Sequence, residues 1–216
     1  MTTRYTVQVE EADSDIKTLH GNAYLLQVAK AVATGGKASF NVVYASKLLA
    51  PHMNVQWTTV YGINWATEMP AQGAIVTYSG KWKQCNLGDS YTLTQDGVWA
   101  ATQENSNAKE NALNIASNDY EVPVHVLVGV QDPSTKMWTP IWFGNNKLLK
   151  GSHGEYEPIE TVNIWYQQGD QTATMISNQA TSIQSYDMPA SHPVYFSYDA
   201  AKGKWRTPQD VTFNFP

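Results

Sequence analysis

Residues 122–130 read VPVHVLVGV, with Val122, Val124, Val126, Val128 and Val130 at every second position. In an extended chain alternate side chains share a face, so the five valines point one way. Pro123, His125, Leu127 and Gly129 point the other. β-Branched side chains fit a pleated surface, and a row of them must be covered by a second layer. The same period recurs on either side. Tyr5, Val7 and Val9 alternate with Thr6 and Gln8, and Tyr24, Leu26 and Val28 alternate with Ala23, Leu25 and Gln27. Residues 37–44, 53–61 and 73–79 also read as strands, as do Met137–Phe143, Thr161–Gln167, Pro193–Tyr198 and Val211–Phe215. Turn pairs punctuate them: Gly35-Gly36, Asp96-Gly97, Asp132-Pro133, Gly169-Asp170 and Lys202-Gly203. Many short strands with frequent turns predict an all-β fold, one antiparallel β-sandwich or two packed together.

One stretch breaks the pattern. Residues 103–118 (QENSNAKENALNIASN) mix Ala, Glu, Lys and Leu with repeated Asn, and they are expected to form a connector with at most one short helix. The connector divides the chain into an N-terminal sandwich half, 1–102, and a C-terminal β half, 119–216, packed against the first.

Composition narrows the function classes. At 216 residues the chain can bury a core without staples. A net charge of −5 with only 14 scattered basic residues argues against nucleic acid, which needs clustered cations. Lys202, Lys204 and Arg206 read as a solvated turn. The apolar runs are far too short for a membrane helix of roughly 20 residues. A single cysteine, no apolar leader and no Asn-x-Ser/Thr acceptor point to a cytoplasmic protein.

Catalytic motifs are missing: no G-x-S-x-G, H-E-x-x-H, phosphate loop or G-x-G-x-x-G is present. The five histidines (His20, His52, His125, His153 and His192) lie far apart, and His125 reads as a hydrogen-bonded strand histidine. Lys81 and Lys83 precede Cys85 at strand spacing, where two cations would depress a thiol pKa; a passive, half-buried cysteine is the plainer reading. Glu11, Asp13 and Asp15 match the opening spacing of a Ca²⁺ loop, but Ile16 and Asn22 stand where its glycine and glutamate belong. His153, Glu155, Glu157 and Glu160 have no ligand geometry in their spacing. Solvated loops account for both acidic runs, so no metal and no enzymatic activity are expected.

Aromatic content points elsewhere. Eight tryptophans and twelve tyrosines exceed what an aliphatic core needs. Each indole adds an N–H that must find a partner. Flat faces with polar edges suit planar heterocycles and sugar rings, so at least one tryptophan is expected to face a ligand. Trp57 and Tyr61 share a face if 53–61 stays regular, and Trp138 and Trp142 share one within Met137–Phe143. The candidate ligand site is Trp57, Tyr61, Trp65, Trp82, Trp142 and Trp165, with Lys81 beside it.

The segments YTVQV, AYLLQ, KASFNVVY, NVQWTTVYGINWA and GAIVTYSGKWKQC, followed by VHVLVGVQD, VNIWYQQ and HPVYFSYDAAKGKW, carry a resemblance. In that order they resemble a family of basidiomycete mushroom β-sandwich proteins that includes the pink chromoprotein of Pleurotus-type oyster mushrooms. The resemblance implies a fold and a bound indolone-type chromophore, with Lys81, Lys83 or Lys147 to anchor or polarise it. Two functions follow as expectations. The first is a non-enzymatic binding protein holding a small planar aromatic ligand or chromophore. The second is a lectin-like defence or storage protein binding glycans, with Asn145 and Asn146 beside Trp142. Open strand edges make a homodimer a reasonable expectation.

Overall fold

The structure, a computed structural model, describes residues 3–102, 107–190 and 193–206. The chain opens with β1 (Arg4–Glu10), α1 (Asp13–Gly21), β2 (Leu25–Thr34), β3 (Lys37–Ser39), β4 (Ala45–Lys47), β5 (His52–Thr58) and β6 (Tyr61–Ala66). It continues with β7 (Lys83–Cys85), β8 (Ser90–Leu93), β9 (Trp99–Thr102), β10 (Leu113–Asn118) and β11 (His125–Gln131). Last come β12 (Trp138–Phe143), β13 (Gly154–Gln167), β14 (Gln184–Asp187), β15 (Val194–Asp199) and β16 (Lys204–Arg206). The expected strand Val211–Phe215, His192 and residues 103–106 lie outside the described residues.

The fold is all-β and sandwich-like, built from mixed and antiparallel sheets. One sheet runs β16-β15-β1-β5. A second runs β3-β2-β13-β10-β8-β9, with β14 on β13 and β4 on β2. A third runs β12-β11-β6-β7. The third is antiparallel throughout, whereas β1 with β15 and β10 with β8 are parallel pairs. A single apolar cluster joins all three, with Val7 and Phe196 from the first, Leu26 and Ile164 from the second, and Ile63 and Val128 from the third.

Strands from both sides of 103–118 share each sheet, so that segment does not divide the sheets into two halves. Its C-terminal part is β10, not a helix. Leu113 and Ile115 are buried among neighbouring strands, and that burial overrides the weak helical composition. The helix among the described residues is α1, where a solvated acidic loop was expected. Asp13 and Asp15 occupy its first turn, where the helix dipole favours carboxylates, and Leu19 is buried beneath it.

The valine row holds from Val124 to Val130, all buried, but Val122 is 41% exposed because β11 begins at His125. The opposite face is covered too. Leu127 packs with Phe143, Val76 and Met175, and Gly129 lies beneath Trp82. Residues 73–79 form no strand, only the isolated bridge of Ile75 with Thr174, and they run as part of that cover.

Two irregularities re-aim side chains. Residues 53–61 are not one strand: the chain turns after Thr58, and Trp57 and Tyr61 lie in different sheets. In β12 the register shifts by one residue, so that Val128 faces Trp142 while Gly129 faces Pro140. This bulge at Ile141 reverses the alternation. Trp142 joins the main core, whereas Trp138 sits on the other face, stacked on Trp82 at 5.5 Å over the facing pair Gly62 and Gly129. A Cβ on either glycine would come within 2.6 Å of an indole. Among the described residues, no helix is long and apolar enough to cross a membrane.

Candidate functional site

Trp142 lies at the end of β12, where the chain leaves the third sheet for the loop 144–153. That loop is held by Asn118, which is wholly buried. The Asn118 amide donates to the Leu148 carbonyl at 2.9 Å. Its backbone N–H donates to Ser152 at 3.0 Å, and its carbonyl accepts from Gly151 at 2.7 Å. Gly151, at φ +75°, supplies the left-handed turn. On the opposite side the β2–β3 hairpin approaches. The Trp142 indole N–H donates to Ser39 Oγ at 2.8 Å. The Asn41 side chain pairs with the Phe143 backbone, accepting from its N–H at 3.1 Å and donating to its carbonyl at 2.6 Å.

Between loop and hairpin opens a cleft of about 610 Å³. This lies within the roughly 300–1,000 Å³ range of small-molecule sites. Its floor is Trp142 against Tyr156, ring centroids 5.5 Å apart and planes at 54°. Only 3% of Trp142 is exposed, so the rings present edges more than open faces. Asn145, Asn146, Lys147, His153 and Glu155 form the rim. Lys147 pairs loosely with the exposed Glu68 at 3.8 Å, and Glu155 pairs with Lys109. The Asn146 side chain has no hydrogen-bond partner among the described residues, and it offers two donors and an acceptor to the cleft.

The other expected site residues do not share a hollow with Trp142. Trp57 and Tyr61 meet, but inside the protein and around Glu160. The β13–β2 register shifts between Ile159 and Val162, and this bulge turns Glu160 inward beside Lys30. Glu160 Oε2 accepts from Lys30 Nζ at 2.7 Å and from the Trp57 indole at 2.6 Å, and Oε1 accepts from the Tyr61 hydroxyl. Lys30 Nζ also stands 4.1 Å above the Trp57 ring, which Tyr5 stacks from another side at 5.6 Å. Lys30 is fully buried and the Glu160 side chain is 19% exposed. Burial pulls the Lys30 ammonium down to about 8 while Glu160 holds it up, and burial with Glu160 alongside raises Tyr61.

Trp65 is buried against Tyr120 and donates to the Gly97 carbonyl at 2.9 Å. Trp165 is enclosed with Ala29 and Val43. Trp82 is half-buried on Trp138, with Tyr78 edge-on. Lys81 is exposed and Lys83 half-buried, neither on the cleft. These residues therefore lie in separate surroundings: Trp57 and Tyr61 turn to Glu160, Trp65 to Tyr120, Trp82 to Trp138, and Trp165 to Ala29 and Val43. Cys85 is buried, and that burial pushes its thiol up to about 12 despite Lys83. His125 is buried, with Nδ1 hydrogen-bonded to the Gly144 carbonyl at 2.6 Å.

The acidic run after β1 is drawn into the fold. Glu11 is buried, accepting from the Tyr166 hydroxyl at 2.7 Å and from the Tyr198 N–H at 3.0 Å. Burial raises it to about 7 against the pull of those hydrogen bonds. Asp15 caps the Ala200 N–H at 3.0 Å and faces Arg206 at 3.6 Å. Among the described residues no group of three or more His, Cys, Asp or Glu is arranged to hold a metal. Tyr156, Ser39 and Asn118 escaped the sequence reading. Tyr156 follows His153 and Glu155 in HGEYEPIE, but its pairing with Trp142 joins strands of two different sheets, β13 and β12.

No family model, curated protein or solved structure matches the chain.

Proposed function

We propose that this protein is a carbohydrate-binding protein, lectin-like, with its site in the Trp142–Tyr156 cleft, and that it works by binding without a reaction. The observation that carries the reading is an aromatic floor beneath a rim of amides and ionisable groups, in a cleft of about 610 Å³. Sugars present apolar C–H patches and dense hydroxyls. Asn145 and Asn146 donate and accept at once, as hydroxyls do. Walls fixed by Asn118 and Asn41 lower the ordering cost of binding.

A planar aromatic ligand, including an indolone-type chromophore, is the second reading. The sealing of Trp57, Trp65 and Trp165 leaves it the same cleft, with Lys147 as the nearby cation. The polar rim favours the polyhydroxylated ligand over the flat apolar one.

A glycan array probed with the full chain tests the proposal. Binding to a defined set of glycans is expected, and it should weaken about tenfold in Asn146→Ala, the worth of one or two hydrogen bonds. Failure to bind any glycan, together with a visible absorption band that survives dialysis, would transfer the cleft to a chromophore.

A further inference from the structure

Beside the Trp142 cleft lies a second hollow of about 500 Å³, and the two share Asn145. The wall between them is thin. Along one short segment Ser39 lines the first hollow while Phe40 and Asn41 line the second. Asn41 Nδ2 donates to Asn145 Oδ1 at 3.2 Å across that wall. The pair of Lys147 with Glu68 spans from the first rim to the residue before Met69, which lines the second.

The two hollows differ in chemistry. The rim of the first carries Lys147, His153 and Glu155, whereas among the described residues the second has no charged side chain in its lining. Its polar groups are amides and one hydroxyl. Gln72, Asn178 and Gln179 are exposed, and their side chains have no hydrogen-bond partner among the described residues. Its floor is apolar, formed by Phe40, Met175 and Ile176. That floor is pinned by backbone hydrogen bonds: Ile176 N–H to Asn41 at 2.9 Å, Met175 N–H to Ala74 at 2.9 Å, and Gly73 N–H to Met175 at 2.9 Å. Unpaired amides over a fixed apolar floor match uncharged hydroxyl-rich rings. They offer nothing to balance a carboxylate or a sulfate.

We propose that the two hollows are successive subsites of one groove and that the ligand is a neutral oligosaccharide. One sugar lies over Trp142 and Tyr156, the chain crosses at Asn145, and a further sugar lies between Gln72 and Gln179. The inference rests on the carbohydrate reading of the cleft and names its ligand class. Occupying a second subsite with the same chain adds contacts without a second loss of translational freedom, so affinity must climb with chain length.

Calorimetric titration with gluco- and chito-series sugars, from monosaccharide to hexasaccharide, tests this in the full chain. Affinity is expected to rise by at least about tenfold between the monosaccharide and the tetrasaccharide. In Gln72→Ala/Gln179→Ala, two exposed positions, the ladder is expected to flatten to the monosaccharide value. Asn146→Ala is expected to weaken every rung. A ladder that is flat in the parent protein, or one that persists in the double variant, overturns the second subsite and leaves the cleft reading standing. Silence of every sugar at every length overturns both.

Discussion

Two regions of this molecule are built from the same residue types and do opposite things with them. Around Glu160, a lysine, a tryptophan and a tyrosine converge on one carboxylate and satisfy it inside the protein. Around Trp142, a tryptophan and a tyrosine again lie together with lysine and glutamate nearby, yet the charged groups stand on a rim and pair away from the rings, Lys147 with Glu68 and Glu155 with Lys109. The difference comes from backbone irregularity. A bulge in β13 turns Glu160 into the core, and a bulge in β12 leaves Trp142 at the mouth of a loop. Aromatic residues mark a binding site only where the backbone leaves a hollow beside them.

The largest expected effect falls on the sealed centre. Glu160→Ala removes the only carboxylate paired with Lys30 among the described residues and strips the Trp57 N–H and Tyr61 hydroxyl of their acceptor. Breaking a buried pair from one side costs about 3–5 kcal/mol, so chemical denaturation should show a fall of that size. Replacing Lys30 and Glu160 together by apolar residues of similar volume should cost less than either single change. A Glu160→Ala variant as stable as the parent would show that the centre is solvated after all.

A second sealed carboxylate gives a pH signature. Glu11 is raised from its ordinary 4.5 to about 7 in the folded protein. The folded state therefore holds the Glu11 proton through a window where the unfolded chain has lost it. Its contribution is full below about 4.5 and is lost as pH rises through about 7. The size is on the order of 3 kcal/mol at most. Thermal denaturation across that window should show stability declining with pH, and Glu11→Gln should flatten the decline. An unchanged slope in the variant would assign the effect to another group.

Much of the scaffold was legible in the sequence. The alternation of Val124, Val126, Val128 and Val130, and of Val7 with Val9, fixes a face that burial confirms. What local pattern cannot carry is anything set by a partner strand. Leu113 and Ile115 become strand because β8 and β13 flank them. Trp138 and Trp142, four residues apart, fall on opposite faces because one extra residue enters a ladder whose other strand is β11. The candidate site was half visible. Trp142, Asn145 and Asn146 are adjacent in the chain and were read as one patch. Tyr156, Ser39 and Asn118 complete it through contacts that no spacing encodes.

The smallest stability effect belongs to the open region, and there function should change instead. Asn146→Ala removes an exposed side chain with no hydrogen-bond partner among the described residues and should shift stability by no more than about 0.5 kcal/mol. Trp142→Ala is the poorer probe, since truncating so buried an indole costs about 3–5 kcal/mol by itself.

The eight tryptophans each carry one indole N–H, and following these resonances while a neutral tetrasaccharide of the gluco- or chito-series is titrated separates the two regions in one experiment. The Trp142 indole signal is expected to move, with the Asn145 and Asn146 amides, while those of Trp57 and Trp165 stay fixed. Shifts centred on Trp57 or Trp165, or no shift at Trp142 with either sugar, would contradict a carbohydrate site in the open cleft.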